Sequence, residues 1–496
     1  MRSFAPSPRL IGVLLFTMAV LCGAFHPSAR GEGERPNILV ILADDLGYGD
    51  LGCFGHPELR TPHLDRLAAE GLALRHCYSA AANCSPARTG LFTGRTPYRV
   101  GIYSQIPMLS PMHLPETEIT VATLLREAGY ATAVAGKWHL AGLFNLPGQP
   151  QPEDHGFDHW FACQNNALPN HRDPYNFVRN GVPLGPQRGY AGGLVADEAV
   201  RWLQSGRDKA KPFFLYLPFC EPHEPIASAP HHVEPYAALH PDDPSRAAYY
   251  GNVAQLDEAV GRVLGALVSE GVDGDTLVFF TSDNGPARTR WHNAGSTGGL
   301  RESKGHLHEG GIRVPGIVRW PGRVEPGSVS DEPVGGVDWL PTLCEVAGIE
   351  PPRDRVLDGV SLVPLLEGRR LERAKPLYWQ FLRYAPHVAV RWGEWKMLAS
   401  LDGPEPTRTT LTKTNFDLVR KAGLRDFQLY HLGRDPGETE ELSAAEPSVF
   451  ADLRERMEEL HRSVAAEAPE WPEWEDPNYE GPRIEWPDYR ALPLAQ

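Results

Sequence analysis

The chain is short of positive charge: 48 Lys and Arg stand against 63 Asp and Glu, a formal net charge of −15 at pH 7. That balance excludes a nucleic-acid or general polyanion binder, and any pocket for an anion must be a local excess of cations against the field of the whole molecule. Cysteine is scarce, with seven in 496 residues, and the spacing fits neither a disulfide framework nor a zinc pattern. Buried thiols with at most one or two bridges are expected. Long apolar runs are missing beyond Phe25, so no later segment is expected to span a membrane. The early run, Leu10 to Phe25 behind Arg2 and Arg9, is too short for a comfortable span and has the form of a secretory signal. Cleavage is expected after Ala24 or Gly31, and Leu21 stands where a lipid-modified Cys22 would need a small residue. The mature chain is therefore expected to be secreted or periplasmic. Internal repeats are absent, and Gly (49) with Pro (47) stays below the share of a low-complexity chain.

What is present is enough chain for two or three domains. Asn37 to Ala43 is a continuous β-branched and leucine run, the pattern of a strand buried on both faces. Ala131 to Ala135, Phe213 to Leu217 and Thr276 to Thr281 read the same way. Helical spacing is expected around His63 to Glu70, Glu118 to Glu127, Tyr190 to Gln204 and Arg246 to Glu270. The alternation predicts an α/β fold around a mostly parallel sheet flanked by helices. Beyond Leu371 the pattern changes. Leu377 to Leu382, Ala389 to Leu398 and Phe427 to Leu432 look like strands, and Val449 to Val464 like a helix, predicting a smaller antiparallel sheet with one covering helix. The Pro- and aromatic-rich tail from Trp471 to Leu494 is expected to pack extended on the surface. The organisation expected is a signal over 1–31, a catalytic domain over 32–370 and a C-terminal subdomain over 371–496.

Polar clusters follow the strands at their C-terminal ends, where open α/β sheets place their sites. They are Asp44-Asp45, Lys137-Trp138-His139, Pro222-His223-Glu224 and Asp283-Asn284-Gly285. Taken singly, each reads as a turn or a helix cap. Together the first and last supply three carboxylates and an amide oxygen, a set suited to a hard divalent cation. On extended backbone, Lys137 and His139 would point to one side. His231, His232 and His240, in a Pro-rich stretch, are expected in a solvent-exposed loop. Cys84 opens Cys84-Ser85-Pro86-Ala87-Arg88-Thr89-Gly90, a small nucleophile at a helix entrance where backbone N–H groups favour negative charge.

The Cys84 to Gly90 string, extended to Thr93-Gly94, closely resembles the C-x-P-x-R signature of type I, formylglycine-dependent sulfatases of the arylsulfatase and N-acetylgalactosamine-6-sulfatase kind. Gly136-Lys137-Trp138-His139, Pro222-His223-Glu224-Pro225 and Lys304 before Glu309-Gly310-Gly311-Ile312-Arg313-Val314-Pro315 match the family as well. Glu302 and Ser303 depart from a common Gly, and His308 from a common aromatic. The resemblance implies an alkaline-phosphatase-like fold and a sulfuric ester hydrolase. It implies Ca2+ held by Asp44, Asp45, Asp283, Asn284 and Cys84, with Cys84 oxidised to formylglycine (3-oxoalanine) by a maturation enzyme. Its hydrate would attack sulfur, Asp283 would take the proton and Arg88 would stabilise the hydrate. Lys137, Lys304 and His223 would neutralise sulfate oxygens, His223 or Lys304 would protonate the leaving oxygen, and His139 would help regenerate the aldehyde.

The expected substrate is a sulfated small molecule or saccharide, with Asn165, His171 and Arg172, in the polar stretch Gln164 to Asp173, as candidate sugar contacts. Two other readings stand beside this one. A phosphodiesterase or phosphonate hydrolase of the same superfamily commonly uses Thr or Ser in place of Cys84. A non-catalytic sulfoglycan-binding protein would not need Arg88, His139 and a metal cluster together.

Overall fold

A computed structural model describes Met1 and residues 35–289, 291–404, 410–475 and 478–486. The expected signal and its cleavage sites lie outside these residues, as does the tail from 487 on.

The strands, in chain order, are β1 (Asn37–Ala43), β2 (Leu72–Tyr78), β3 (Ala131–Lys137), β4 (His159–Cys163), β5 (Val178–Arg179), β6 (Val182–Pro183), β7 (Phe213–Pro218), β8 (Thr276–Ser282), β9 (Arg313–Arg319), β10 (Ser328–Ser330), β11 (Val334–Gly335), β12 (Leu377–Gln380), β13 (Val388–Trp392), β14 (Trp395–Leu401) and β15 (Leu424–His431). Eleven of them form one mixed, mostly parallel sheet in the order β10-β2-β9-β8-β1-β7-β3-β4-β5-β6, with β11 beside β2. The central run β8-β1-β7-β3-β4 is parallel throughout. All its strands therefore end on one edge, the edge that carries the polar clusters.

Both faces of β1 are buried, which is why its sequence does not alternate. Leu39 and Ile41 meet the layer built from Val253, Leu256 and Val260 of the long helix Pro244–Ser269. Ile38, Val40 and Leu42 face the opposite layer, with Phe92 of helix Cys84–Thr93 and Leu340 and Leu343 of helix Trp339–Ala347. Gly136 in β3 sits at φ +131, and a Cβ there would lie 1.8 Å from the Pro218 carbonyl oxygen. Only glycine lets β3 and β7 approach this closely next to Lys137.

The second sheet, β12-β13-β14-β15, is antiparallel and covered by helix Pro447–Glu467. One expected strand is corrected: Ala389 to Leu398 divides into β13 and β14, because Gly393 at φ +58 turns the chain between Trp392 and Trp395. The expected loop at His231 and His232 is also corrected. Both lie on helix Pro230–Leu239, started by Pro230, and His232 is only 12% exposed. The described part of the tail is irregular and includes a short 3-10 turn at Gly481–Arg483, and its Trp471 indole N–H donates to the Gly101 carbonyl at 2.6 Å. Among the described residues no helix is long and apolar enough to cross a membrane, and the described cysteines are all free.

From Arg35 onward the two sheets belong to one compact unit. A buried charge cluster joins them. The Lys396 ammonium, on β14, lies 2.9 Å from both Glu309 and Glu438. The Tyr78 hydroxyl donates to the Glu309 carboxylate at 2.7 Å, and the Glu309 backbone N–H donates to the Glu438 carboxylate at 2.7 Å. Lys396→Met leaves Glu438 buried without its cation and Glu309 with only Arg313 at 3.6 Å and Arg391 at 3.7 Å, and is expected to cost about 3 kcal/mol, read as a lowered denaturant midpoint. A triple change that also neutralises Glu309 and Glu438 as glutamines should recover part of that loss.

Candidate active site

The chain leaves β1 at Ala43 and turns at once. Asp45 has φ +66, a left-handed conformation a non-glycine residue adopts at a cost. Two backbone bonds hold the turn: the Asp44 N–H donates to the Glu221 carbonyl at 3.0 Å and the Asp45 N–H to the Asp283 carboxylate at 3.2 Å. On the neighbouring strand the Asp283 N–H donates to the Ala43 carbonyl at 3.1 Å. Gly285 follows, where a Cβ would stand 1.9 Å from the Gly310 carbonyl oxygen. The E-G-G segment can therefore lie against the end of β8.

Lys137 ends β3, but the expectation of extended backbone through His139 does not hold. His139 has φ +54 and lies in the turn after the strand. Its Nε2–H donates to the Ile106 carbonyl at 3.2 Å, leaving a buried Nδ1 without a partner.

Cys84 is the first residue of helix Cys84–Thr93, every residue of which is buried. Asn83 caps it in extended conformation, its side-chain oxygen accepting from the Cys84 N–H at 2.8 Å and from the thiol at 3.2 Å. Arg88 stands one turn on. It donates to the Asp283 carboxylate through Nη2 at 2.8 Å and Nε at 3.2 Å, and to the Lys137 carbonyl at 3.0 Å.

The charges interlock. Lys137 donates to Asp44 at 2.6 Å, both fully buried, and Lys304 lies 2.7 Å from Asp45. His223 Nε2 is 3.6 Å from Asp45, and its Nδ1–H donates to the Glu224 carbonyl. Burial opposes ionisation of Asp44, but Lys137, His223, Arg88 and Lys304 outweigh it and hold the carboxyl well below the usual range. Asp45 is lowered in the same way, against burial, chiefly by Lys304 and His223. Asp283 moves the other way, up to about 7, because burial and Asp44 together exceed the pull of Arg88. Burial raises the Cys84 thiol and lowers His139 and His223, the latter to about 4.

Ligand atoms of Asp44, Asp45, Cys84 and His223 all lie within 4.8 Å of one another. One Asp44 oxygen and the Asn284 side-chain oxygen are buried without a hydrogen-bond partner, while the Asn284 amide N–H groups are engaged by Asp45 at 2.6 Å and the Gly285 carbonyl at 2.9 Å. Unsatisfied buried oxygens beside two carboxylates are the donor set a hard divalent cation takes. The residues present fit Ca2+.

Only Asp45, His223 and Lys304 of this cluster reach an open cavity of about 370 Å³, whose wall also includes Glu224, Arg288, His306 and Tyr384. Arg88, Lys137 and His139 lie beneath it, buried. The three candidate sugar contacts are not brought together in that cavity. The Asn165 amide donates to Glu480 at 2.7 Å, and His171 is wholly buried beside Asn252 at 3.3 Å. Arg172 is exposed, in a different groove with Trp486. Several partners of the cluster carry no motif. Asn83 was legible as a cap before a helix start, whereas the Ile106 carbonyl and Glu480 have no local signal.

The comparisons with known proteins point to one family. A family model described as Sulfatase matches residues 36–349, and one described as N-sulphoglucosamine sulphohydrolase, C-terminal, matches residues 302–463. The chain is 34% identical over 450 residues to mouse N-acetylgalactosamine-6-sulfatase, covering 84% of this chain and 83% of the relative. To human arylsulfatase A it is 34% identical over 450 residues, covering 85% and 86%. The crystal structure of Ps i-CgsB in complex with k-i-k-neocarrahexaose superposes with a TM-score of 0.76 at 26% identity, over 91% of this chain and 97% of that one. With more than half of its length matched, through all four strand-end clusters, the chain belongs to the sulfatase family and is a sulfuric ester hydrolase.

Proposed function

We propose that this enzyme hydrolyses sulfate monoesters of carbohydrates, with Cys84 converted to formylglycine by a maturation enzyme, Ca2+ bound at Asp44, Asp45, Asp283 and Asn284, and the mature chain secreted or periplasmic. One observation carries the reading. A buried nucleophile position at a helix N-terminus shares one cluster with three carboxylates, an unsatisfied amide oxygen and three permanent cations.

The cluster is balanced as it stands, Arg88, Lys137 and Lys304 against Asp44, Asp45 and Asp283. When bound, Ca2+ supplies the positive surplus that draws a sulfate oxygen and acidifies the nucleophile. The protein's own groups divide the remaining work by depth. Arg88, held on Asp283, keeps that carboxylate oriented beside residue 84, where it takes a proton from the nucleophile. Lys137 lies below the cavity and neutralises sulfate oxygens from the protein side. His223 and Lys304 line the open cavity, so the leaving alcohol departs past them, and the proton it needs comes from one of these two. His139, with Nδ1 free and Nε2–H fixed on Ile106, is oriented as a base for the step that restores the aldehyde.

A sugar alkoxide is a worse leaving group than a phenolate and depends more on acid assistance and position. A panel of monosulfated sugars and an aryl sulfate tests the proposal, with His223→Gln as the variant. The variant is expected to lose roughly tenfold or more in kcat/KM on a sugar beyond its loss on the aryl ester. Failure of every saccharide in the panel, or equal losses on both substrate types, would count against a carbohydrate enzyme.

A further inference from the structure

The rim of the active-site cavity carries cations that the reaction does not use. Arg288 comes from the loop after Asn284, and Arg383 from the segment after β12; both are exposed and both line the cavity with Lys304. Other exposed arginines are paired with carboxylates, as Arg75 is with Asp331 at 2.9 Å and Arg353 with Glu350 at 2.7 Å. Among the described residues, Arg288 and Arg383 have no such partner, although three carboxylates, Asp45, Glu224 and Glu302, share their cavity. Each of those carboxylates faces another group: Asp45 lies 2.7 Å from Lys304, Glu224 3.4 Å from His292 and Glu302 3.7 Å from His306.

The same rim has a flat aromatic surface. Tyr384 stacks on His306 with ring centroids 4.4 Å apart and planes 11° from parallel. The Arg383 guanidinium lies 5.2 Å from the Tyr384 centroid. This surface adjoins the catalytic cluster directly. A Cβ on Gly305, next to Lys304, would stand 3.4 Å from the Tyr384 ring and 3.5 Å from Arg383. An aromatic face packs against the C–H face of a sugar ring, and a guanidinium fork matches the planar or tetrahedral oxygens of carboxylate and sulfate. In a chain of net charge −15, two guanidinium groups with no carboxylate partner among the described residues stand beside an anion-cleaving centre, free to attract an anion.

We propose that this rim binds a second anionic group, a sulfate ester or a carboxylate, on the sugar that carries the scissile sulfate or on its neighbour. The preferred substrate is then a saccharide with at least two negative charges, one cleaved over residue 84 and one held by Arg288 and Arg383 across Tyr384. The inference rests on the carbohydrate reading above and goes beyond it in naming what the rest of the substrate must carry.

The test uses the matured, Ca2+-loaded enzyme on three disaccharides sharing one scissile sulfate: one otherwise neutral, one with a second sulfate, one with a uronic carboxylate. Wild-type kcat/KM is expected to favour at least one dianionic substrate by roughly tenfold, and which one identifies the anion. The preference should shrink several-fold as salt rises from about 0.02 to 0.3 M, because exposed charges are screened. The Arg288→Met/Arg383→Met enzyme should lose the preference, falling far more on the dianionic substrate than on the neutral one. Equal kcat/KM on all three disaccharides, or one common loss factor for the variant, overturns the proposal while leaving the carbohydrate reading in place. Turnover of an aryl sulfate but of none of the disaccharides overturns the carbohydrate reading beneath it as well.

Discussion

Cys84→Ala is expected to lower sulfate-ester turnover by roughly a thousandfold or more, the size of loss seen when a covalent nucleophile is removed, with the thermal unfolding transition close to wild type. The fold should survive because the Cys84 side chain makes a single hydrogen bond, to Asn83, and the helix cap runs through the backbone N–H that alanine keeps. Cys84→Ser is the sharper variant. It preserves size and supplies a hydroxyl nucleophile, yet a sulfated serine has no second hydroxyl from which to expel sulfate, so the enzyme should stall after one turnover. Steady-state kinetics on an aryl sulfate, with circular-dichroism melts of each protein, separate chemistry from folding. Mass spectrometry of the peptide holding residue 84 reports the oxidation itself. A Cys84→Ser enzyme with wild-type turnover would falsify the formylglycine mechanism.

Removing the divalent cation should be nearly as damaging. Chelation is expected to abolish activity, and readdition of Ca2+ to restore it. The melting temperature should fall by several degrees, because a ligand that binds only the folded state stabilises it in proportion to the logarithm of its excess over Kd. The physical ground is the pair of buried oxygens, on Asp44 and Asn284, that no protein donor satisfies. Without the cation, Asp283 has burial and Asp44 working against its ionisation, and only part of that is offset by Arg88. Metal analysis of active enzyme showing no divalent ion, or a pair of zinc ions, would remove this account.

The parts of the fold legible in the sequence were those buried on both faces. β1, β7 and β8 announce themselves because both faces are buried and their continuous apolar runs leave little choice of element. β2 was not legible as a strand: Leu72 to Tyr78 places Arg75 and His76 among its apolar residues, on a strand whose burial is uneven. The hairpin at Gly393 was missed because Gly393-Glu394 interrupts an apolar stretch for only two residues. In the site, the ionic residues were legible because strand ends expose them as adjacent pairs and short motifs. Their supports were not. The Glu309, Lys396 and Glu438 cluster joins positions 87 and 129 residues apart from Glu309, and no local pattern encodes such a meeting. The burial of His171 was equally hidden, since its polar neighbours in sequence say nothing of the Asn252 it packs beside.

The burial of Cys84 has a chronological consequence. Its side chain is 2% exposed, at the start of a helix enclosed on every side. A maturation enzyme of the proposed kind would have to bring its own reactive centre to that sulfur, which the folded chain buries. On the proposed reading, the oxidation would therefore belong to the time before the helix docks. Two clocks would then compete, catalysis by the modifying enzyme and closure of the sheet around β8. A strand some 200 residues downstream has to be synthesised before Asp283 can meet Arg88, and that delay is the interval in which the nascent chain remains open to modification. Refolding an unmodified chain from denaturant should accordingly yield a well-folded protein with a thiol at position 84 and no activity to recover.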